Sequence, residues 1–339
     1  MSDDDRLSEA EEQAARAMLA QRTSAISAVT RALSLAGRSA PVGLIVAVAY
    51  AVVSTAGLQA VAAGFAWMTG QSDEALNSIA QVVLAVGGLL SLYAVIQFMK
   101  RHTATRQSWF PALFALPALV TAGGLMLAGS PQGRSLGPAM IQMLLIPWTL
   151  ILYSIGGAAC AIAWVRAGDL ASRGEPVDNG AVLGEVGSRL VEISGPHGAR
   201  QHAVSIGLQV LVPGIFYALQ LAFVDMVAVL DPERPALKRS GDLTWGMRGR
   251  LFRVFAIWFV VTASVVAGLQ VALDGSAAVT MAFVGPRELA VHTYFLSELV
   301  TAVTSWVLTL ALLVLYQERE AQVAAKRAIV RHEKAAASA

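Results

Sequence analysis

Apolar residues fall in long blocks separated by short polar segments. A spanning helix needs about 20 apolar residues. Six blocks reach that length: residues 41–68, 75–99, 110–129, 139–165, 251–272 and 291–316. A seventh, 203–230, is interrupted at Pro213-Gly214. Proline removes a backbone donor and clashes with the preceding turn, and glycine loosens the backbone. The pattern predicts an all-α fold: a polytopic transmembrane helical bundle of six spans plus a broken Pro-Gly helical hairpin. Each hairpin arm is too short to cross, so its turn needs a cover of protein or water. The other reading of 203–230 is one tilted helix kinked at Pro213.

The polar ends carry helical signals too. Ser8-Glu9-Ala10-Glu11 fits a capping box. Ala14, Met18, Ile26, Val29 and Leu33 then recur at helical spacing. Residues 1–40 therefore predict a cytoplasmic amphipathic segment ahead of a transmembrane domain, 41–316. The last span is expected to continue through Gln317–Glu333, making 317–339 a cytoplasmic helical tail. The longest polar loop, 166–202, is expected to break at Gly174–Gly180 and Ser194–Gly198. One amphipathic helix lies between, around 181–193, and Ser194-Gly195-Pro196 reads as a turn. The first apolar block begins too late, and runs too long, for a signal-peptide core.

Charge sets the orientation. Only 14% of residues are charged and 56% are hydrophobic, against about 25% charge in a soluble domain. That excludes a disordered chain and argues against a soluble enzyme. Cytoplasmic loops collect Lys and Arg. If 203–230 enters and leaves on one side, 23 of the 25 basic residues face the cytoplasm and two face outward. If it crosses once, one basic block must face outward. The count therefore favours the hairpin, with both termini cytoplasmic. Arginine outnumbers lysine 21 to 4 and alanine is abundant, a composition typical of GC-rich bacterial genomes, so the expected location is a bacterial inner membrane. Cys160 is the only cysteine, which excludes an intramolecular disulfide.

The stretch 213–253 has its own pattern. It holds Pro213-Gly214, an apolar run ending in Asp231, then Ala236-Leu237-Lys238-Arg239-Ser240-Gly241-Asp242-Leu243-Thr244-Trp245-Gly246. This resembles the membrane domain attached to some glycerophosphoryl diester phosphodiesterases and found alone in bacterial membrane proteins of unassigned function. The last span, ending Leu315-Tyr316-Gln317-Glu318-Arg319, is similar to that domain's closing Tyr-x-x-Arg boundary. The resemblance covers roughly residues 180–320, with departures at Gly241 and Asp231. The phosphodiesterase barrel is absent, so the resemblance implies a fold and a location and carries over no catalytic residue.

The same motif has a physical reading. Pro235 suits a helix start and Gly246 its end. Ala236, Leu237, Ser240 and Leu243 share one face. Lys238, Arg239 and Ser240 form a candidate interfacial basic motif, either a headgroup or partner contact or a topology anchor.

Carboxylates inside a membrane are costly and mark candidate sites. Asp225 and Glu298 are the two inside apolar blocks. Tyr294, Glu298, Thr301, Ser305 and Thr309 step by four, three, four and four, which keeps them on one helix face. That stripe is expected to face the bundle. It forms either a proton- or solute-binding cleft opposite the Pro213 break, or interhelical hydrogen bonds around a neutral Glu298. The histidines lack metal-ligand spacing, and no phosphate loop, nucleophile elbow or dinucleotide fingerprint occurs. No catalytic residue, cofactor or metal is assigned. Gly87-xxx-Ser91, Gly124-xxx-Ala128, Gly157-xxx-Ala161 and Ser264-xxx-Gly268 suit close helix approach. Trp67, Trp109 and Trp164 read as interface anchors. The expected function is that of a non-enzymatic scaffold or accessory in lipid and envelope processes, its partners membrane lipids, a second copy or another membrane protein, and not nucleic acid. The alternative is a solute or lipid transporter centred on Glu298.

Overall fold

A computed structural model describes residues 9–20, 22–69, 73–99, 115–128, 137–208, 211–274 and 291–337. The expected loop 100–109 and the residues Asp3-Asp4-Asp5, Ser8, Trp109, Arg134 and Arg287 lie outside them. The described residues are all-α. The helices are α1 (Glu9–Ala20), α2 (Ala25–Thr69), α3 (Asp73–Met99), α4 (Ala115–Ala128), α5 (Gly137–Ser172), α6 (Asn179–Leu208), α7 (Val212–Gln220), α8 (Val224–Leu230), α9 (Ala236–Thr244), α10 (Arg248–Asp274) and α11 (Val291–Ala337).

Five stretches are long and apolar enough to cross a membrane: Ala25–Ala60, Ile151–Ser172, Val212–Leu230, Arg248–Leu273 and Val291–Arg331. α3 holds a shorter apolar segment, Ser78–Leu90. These describe a multi-pass membrane protein. Only 6% of the apolar window of α10 is covered by the rest of the chain. Phe259, Val260 and Val261 are exposed along it, a surface suited to lipid and costly in water.

Two long helices organise the bundle. α2 has 45 residues and α11 has 47, or about 70 Å each at a rise of 1.5 Å. They run antiparallel, Thr23 meeting Glu318 and Gly43 meeting Trp306. α5 runs parallel to α11, with Tyr153 at Tyr294 and Asp169 at Gln317. α10 is antiparallel to α11, with Arg250 at Glu318 and Thr262 at Thr304. The ends of these helices that carry the basic segments therefore gather at one end of the bundle. The core includes Ile162, Phe223, Met226, Leu310 and Leu313.

Several expectations are corrected. Residues 166–202 are not a polar loop. α5 continues to Ser172 and closes with Glu175 N–H donating to the Leu170 carbonyl beside Gly174, whose φ is +74°, a Schellman-type stop. α6 then runs from Asn179 to Leu208 with Pro196 inside it. Ser194-Gly195-Pro196 is therefore helix and not a turn, and the helix expected over 181–193 is about twice as long. α6 and α7 meet closely at their facing ends, where a Cβ on Gly207 would lie 2.8 Å from Gly214 Cα. Pro213 opens α7, where it leaves no helical hydrogen bond unmade. The first arm is thus the polar helix α6, and the apolar second arm is divided by the turn 221–223 into α7 and α8.

The N-terminal segment is two helices and not one. Residues 22–24 separate α1 from α2. Met18, Ile26 and Leu33 point outward, while Ala15, Ala25, Ala28, Ala32 and Leu35 pack inward. Trp164 is buried and not an interface anchor; Trp67 is exposed. Gly87 approaches α4 and Gly157 receives His197, whereas Gly268 faces open space.

Candidate functional site

Asp225 and Glu298 are both half-way to being sites and both are engaged. Asp225 begins α8 and is buried. His197 Nδ1 lies 2.9 Å from its Oδ1, and Arg200 Nη1 lies 2.6 Å from its Oδ2. Both partners come from α6, three residues apart and hence on one helix face. The His197 ring fills the notch left by Gly157 on α5. One turn series away, Arg189 donates to the carbonyls of Ala228 and Val229 at 2.9 Å each, and to Glu185 at 2.9 Å. A cation at those carbonyls satisfies the orphan acceptors that end α8. Sequence reasoning missed His197 and Arg200 because it placed them beyond the helix expected over 181–193, and it did not single out Arg189 within that helix. The spacing of Arg189, Ile193, His197 and Arg200 is the helical signal that could have found them.

Glu298 lies on α11 among tyrosines. Tyr153 Oη donates to its Oε1 at 3.2 Å and lies 2.8 Å from Tyr294 Oη. Tyr50 of α2 stacks on Tyr153 at 6.3 Å and rests against Gly156. Three helices thus meet around one carboxylate. The rest of the stripe turns inward on its own backbone: Thr301 donates to the Ser297 carbonyl and Thr309 to that of Ser305. Thr293 and Ser297, one face over, have buried hydroxyls without a hydrogen-bond partner among the described residues, as does Thr55 of α2. Pro213 and Glu298 are not brought together, since Glu298 faces α5 and the Pro213-Gly214 turn packs on α6.

The basic motif on α9 is divided by its environment. Arg239 makes a bidentate pair with Glu320 of α11 at 2.6 and 2.7 Å. Ser240 donates to the Gln220 carbonyl and accepts from Phe223 N–H, tying the turn between α7 and α8. Lys238 is exposed. Ala236, Ser240 and Leu243 are buried, whereas Leu237 is exposed.

Arg239 belongs to a larger fastening. Gln317 donates to Asp169 and Ser172 of α5. Glu318 accepts from Thr23 N–H and Arg250. Arg319 donates to the carbonyls of Leu243 and Trp245. Four consecutive residues, Gln317–Glu320, thus bind α5, the α1–α2 link, α9 and the start of α10. Among the described residues, no group of three or more His, Cys, Asp or Glu comes together to hold a metal ion.

Comparison of the chain with models of protein families, with curated proteins and with solved structures finds no match.

Proposed function

We propose that the chain is a non-enzymatic bacterial inner-membrane protein, a scaffold or accessory in lipid and envelope processes. The observation that carries this reading is the engagement of both intramembrane carboxylates by side chains of neighbouring helices. Such groups stabilise and specify a bundle, whereas a solute centre keeps an open position. The likeness of 213–253 to the phosphodiesterase-linked membrane domain supports the same reading. The topology that goes with it has six spans, the re-entrant pair α6 and α7–α8, and both termini cytoplasmic. Arg166 pairs with Glu185 at 3.2 Å and Arg248 covers Phe216, so both arms reach the basic end of the bundle. Its partners are membrane lipids and a second membrane protein or a second copy.

The transporter reading retains one observation in its favour, the unpartnered hydroxyls of Thr293 and Ser297 beside Glu298. Native mass spectrometry from lipid nanodiscs separates the two. The scaffold is expected to keep a second protein on the 35.6 kDa chain, unchanged by Glu298→Gln. A small molecule held by the native chain and lost from folded Glu298→Gln would put the transporter in its place.

A further inference from the structure

We infer that the open, shallow cleft at the α9–α10 turn, beside Phe216 of α7, binds the phosphate of an anionic phospholipid, with Arg248 as the phosphate ligand. The cleft has a volume of about 420 Å³ and is lined by Trp245, Gly246, Arg248 and Gly249. Gly246 shapes it: its φ of +81° lies in the left-handed region, which lets Trp245 and Arg248 fold back toward each other. The guanidinium carbon of Arg248 sits 4.9 Å from the Trp245 ring centroid and 4.8 Å from that of Phe216.

That stacking uses the faces of the guanidinium. Its N–H donors lie in its plane, directed out of the stack. Among the described residues no carboxylate lies within salt-bridge reach of Arg248, and its Nε is buried without a hydrogen-bond partner. The neighbouring cations are spent differently, Arg239 on Glu320 and Arg250 on Glu318. Arg248 is therefore a planar donor fork, preoriented by two rings and left without an anion. A phosphate accepts two parallel bonds from such a fork.

The surroundings select a lipid over a soluble phosphate. Phe252 follows Arg248 by four residues on α10, and Val212 precedes Phe216 by four on α7, so each lies on the same face as its partner. All of Val212, Phe216, Trp245 and Phe252 are well exposed. An apolar rim around a cation matches a headgroup with its acyl chains attached. Tryptophan at this position matches the boundary between headgroups and hydrocarbon.

The test uses the full chain in nanodiscs containing equal phosphatidylglycerol and phosphatidylcholine, with retained lipids counted by native mass spectrometry. The native protein is expected to prefer phosphatidylglycerol by about fivefold, the effect of one basic residue at an anionic surface. Arg248→Gln should abolish that preference, while Arg253→Gln, an exposed cation on the same helix, should keep it. Trp245→Ala removes an exposed ring and is expected to lose the preference as well, which keeps the test open should Arg248→Gln misfold. Equal retention by the native protein and Trp245→Ala, or an equal loss in Arg253→Gln, would overturn the site. Displacement of the lipid by millimolar inorganic phosphate would overturn the lipid and leave free phosphate as the ligand.

Discussion

Asp225 shows how much one side chain can depend on its neighbours. Arg200→Gln leaves a buried carboxylate with only His197, a loss of about 3–5 kcal/mol. It should appear as a lower melting temperature in detergent. Arg200→Gln with Asp225→Asn removes charge from both partners and should recover most of that loss. A double variant as unstable as the single one would show that Arg200 acts through packing alone. Leu211 offers a gain. Its φ of 57° and ψ of −66° approach the strained γ-turn, so Leu211→Gly is expected to stabilise the protein by about 1 kcal/mol in the same melt. Asp225 and Glu298 were legible in the sequence as costly charges in apolar blocks. Their partners were not. His197 and Arg200 stand 28 and 25 residues from Asp225, on a helix that Gly195-Pro196 argued against. Pro196 is accommodated inside α6, a tolerance that a local rule about proline does not anticipate.

At the scale of elements, the close approach of α2 and α11 depends on the absence of a side chain at Gly43. The Trp306 indole occupies that space. Gly43→Val is expected to cost about 1–3 kcal/mol by overpacking, while Gly268→Ala, which faces open space, should leave the melting temperature unchanged. Equal effects would remove the notch as an explanation. The helices themselves were mostly readable, because blocks of 20 or more apolar residues have few alternatives. Their orientation was less so. Ile26 and Leu33 stood out in the pattern and face outward, while the alanines between them form the contact. Between helices in a bilayer there is no hydrophobic drive toward the interior, and small residues at the seam allow the backbones to approach. The seam of α2 is therefore marked by its alanines and not by its largest apolar side chains.

For the whole molecule, the arrangement to test is the sidedness of the basic end. Asp242→Cys in a Cys160→Ser background puts a thiol on the exposed side of α9. It should resist a membrane-impermeant maleimide applied to spheroplasts and react after the membrane is opened. Labelling from outside would reverse the proposed topology and return 203–230 to a single crossing. The excess of Lys and Arg made this end legible as a set of segments. It did not make legible that one short stretch holds the set together, because the bonds that Gln317–Glu320 make to other elements span from 68 to 295 residues along the chain.

That stretch has a consequence for synthesis. Gln317–Glu320 belongs to α11, the last of these helices to leave the ribosome. Until it emerges, α5, the α1–α2 link, α9 and the start of α10 have their polar groups waiting at the basic end of the bundle. The protein therefore completes its fold from the end of the chain backward, and a nascent chain stalled before residue 317 presents an unlatched, protease-accessible bundle.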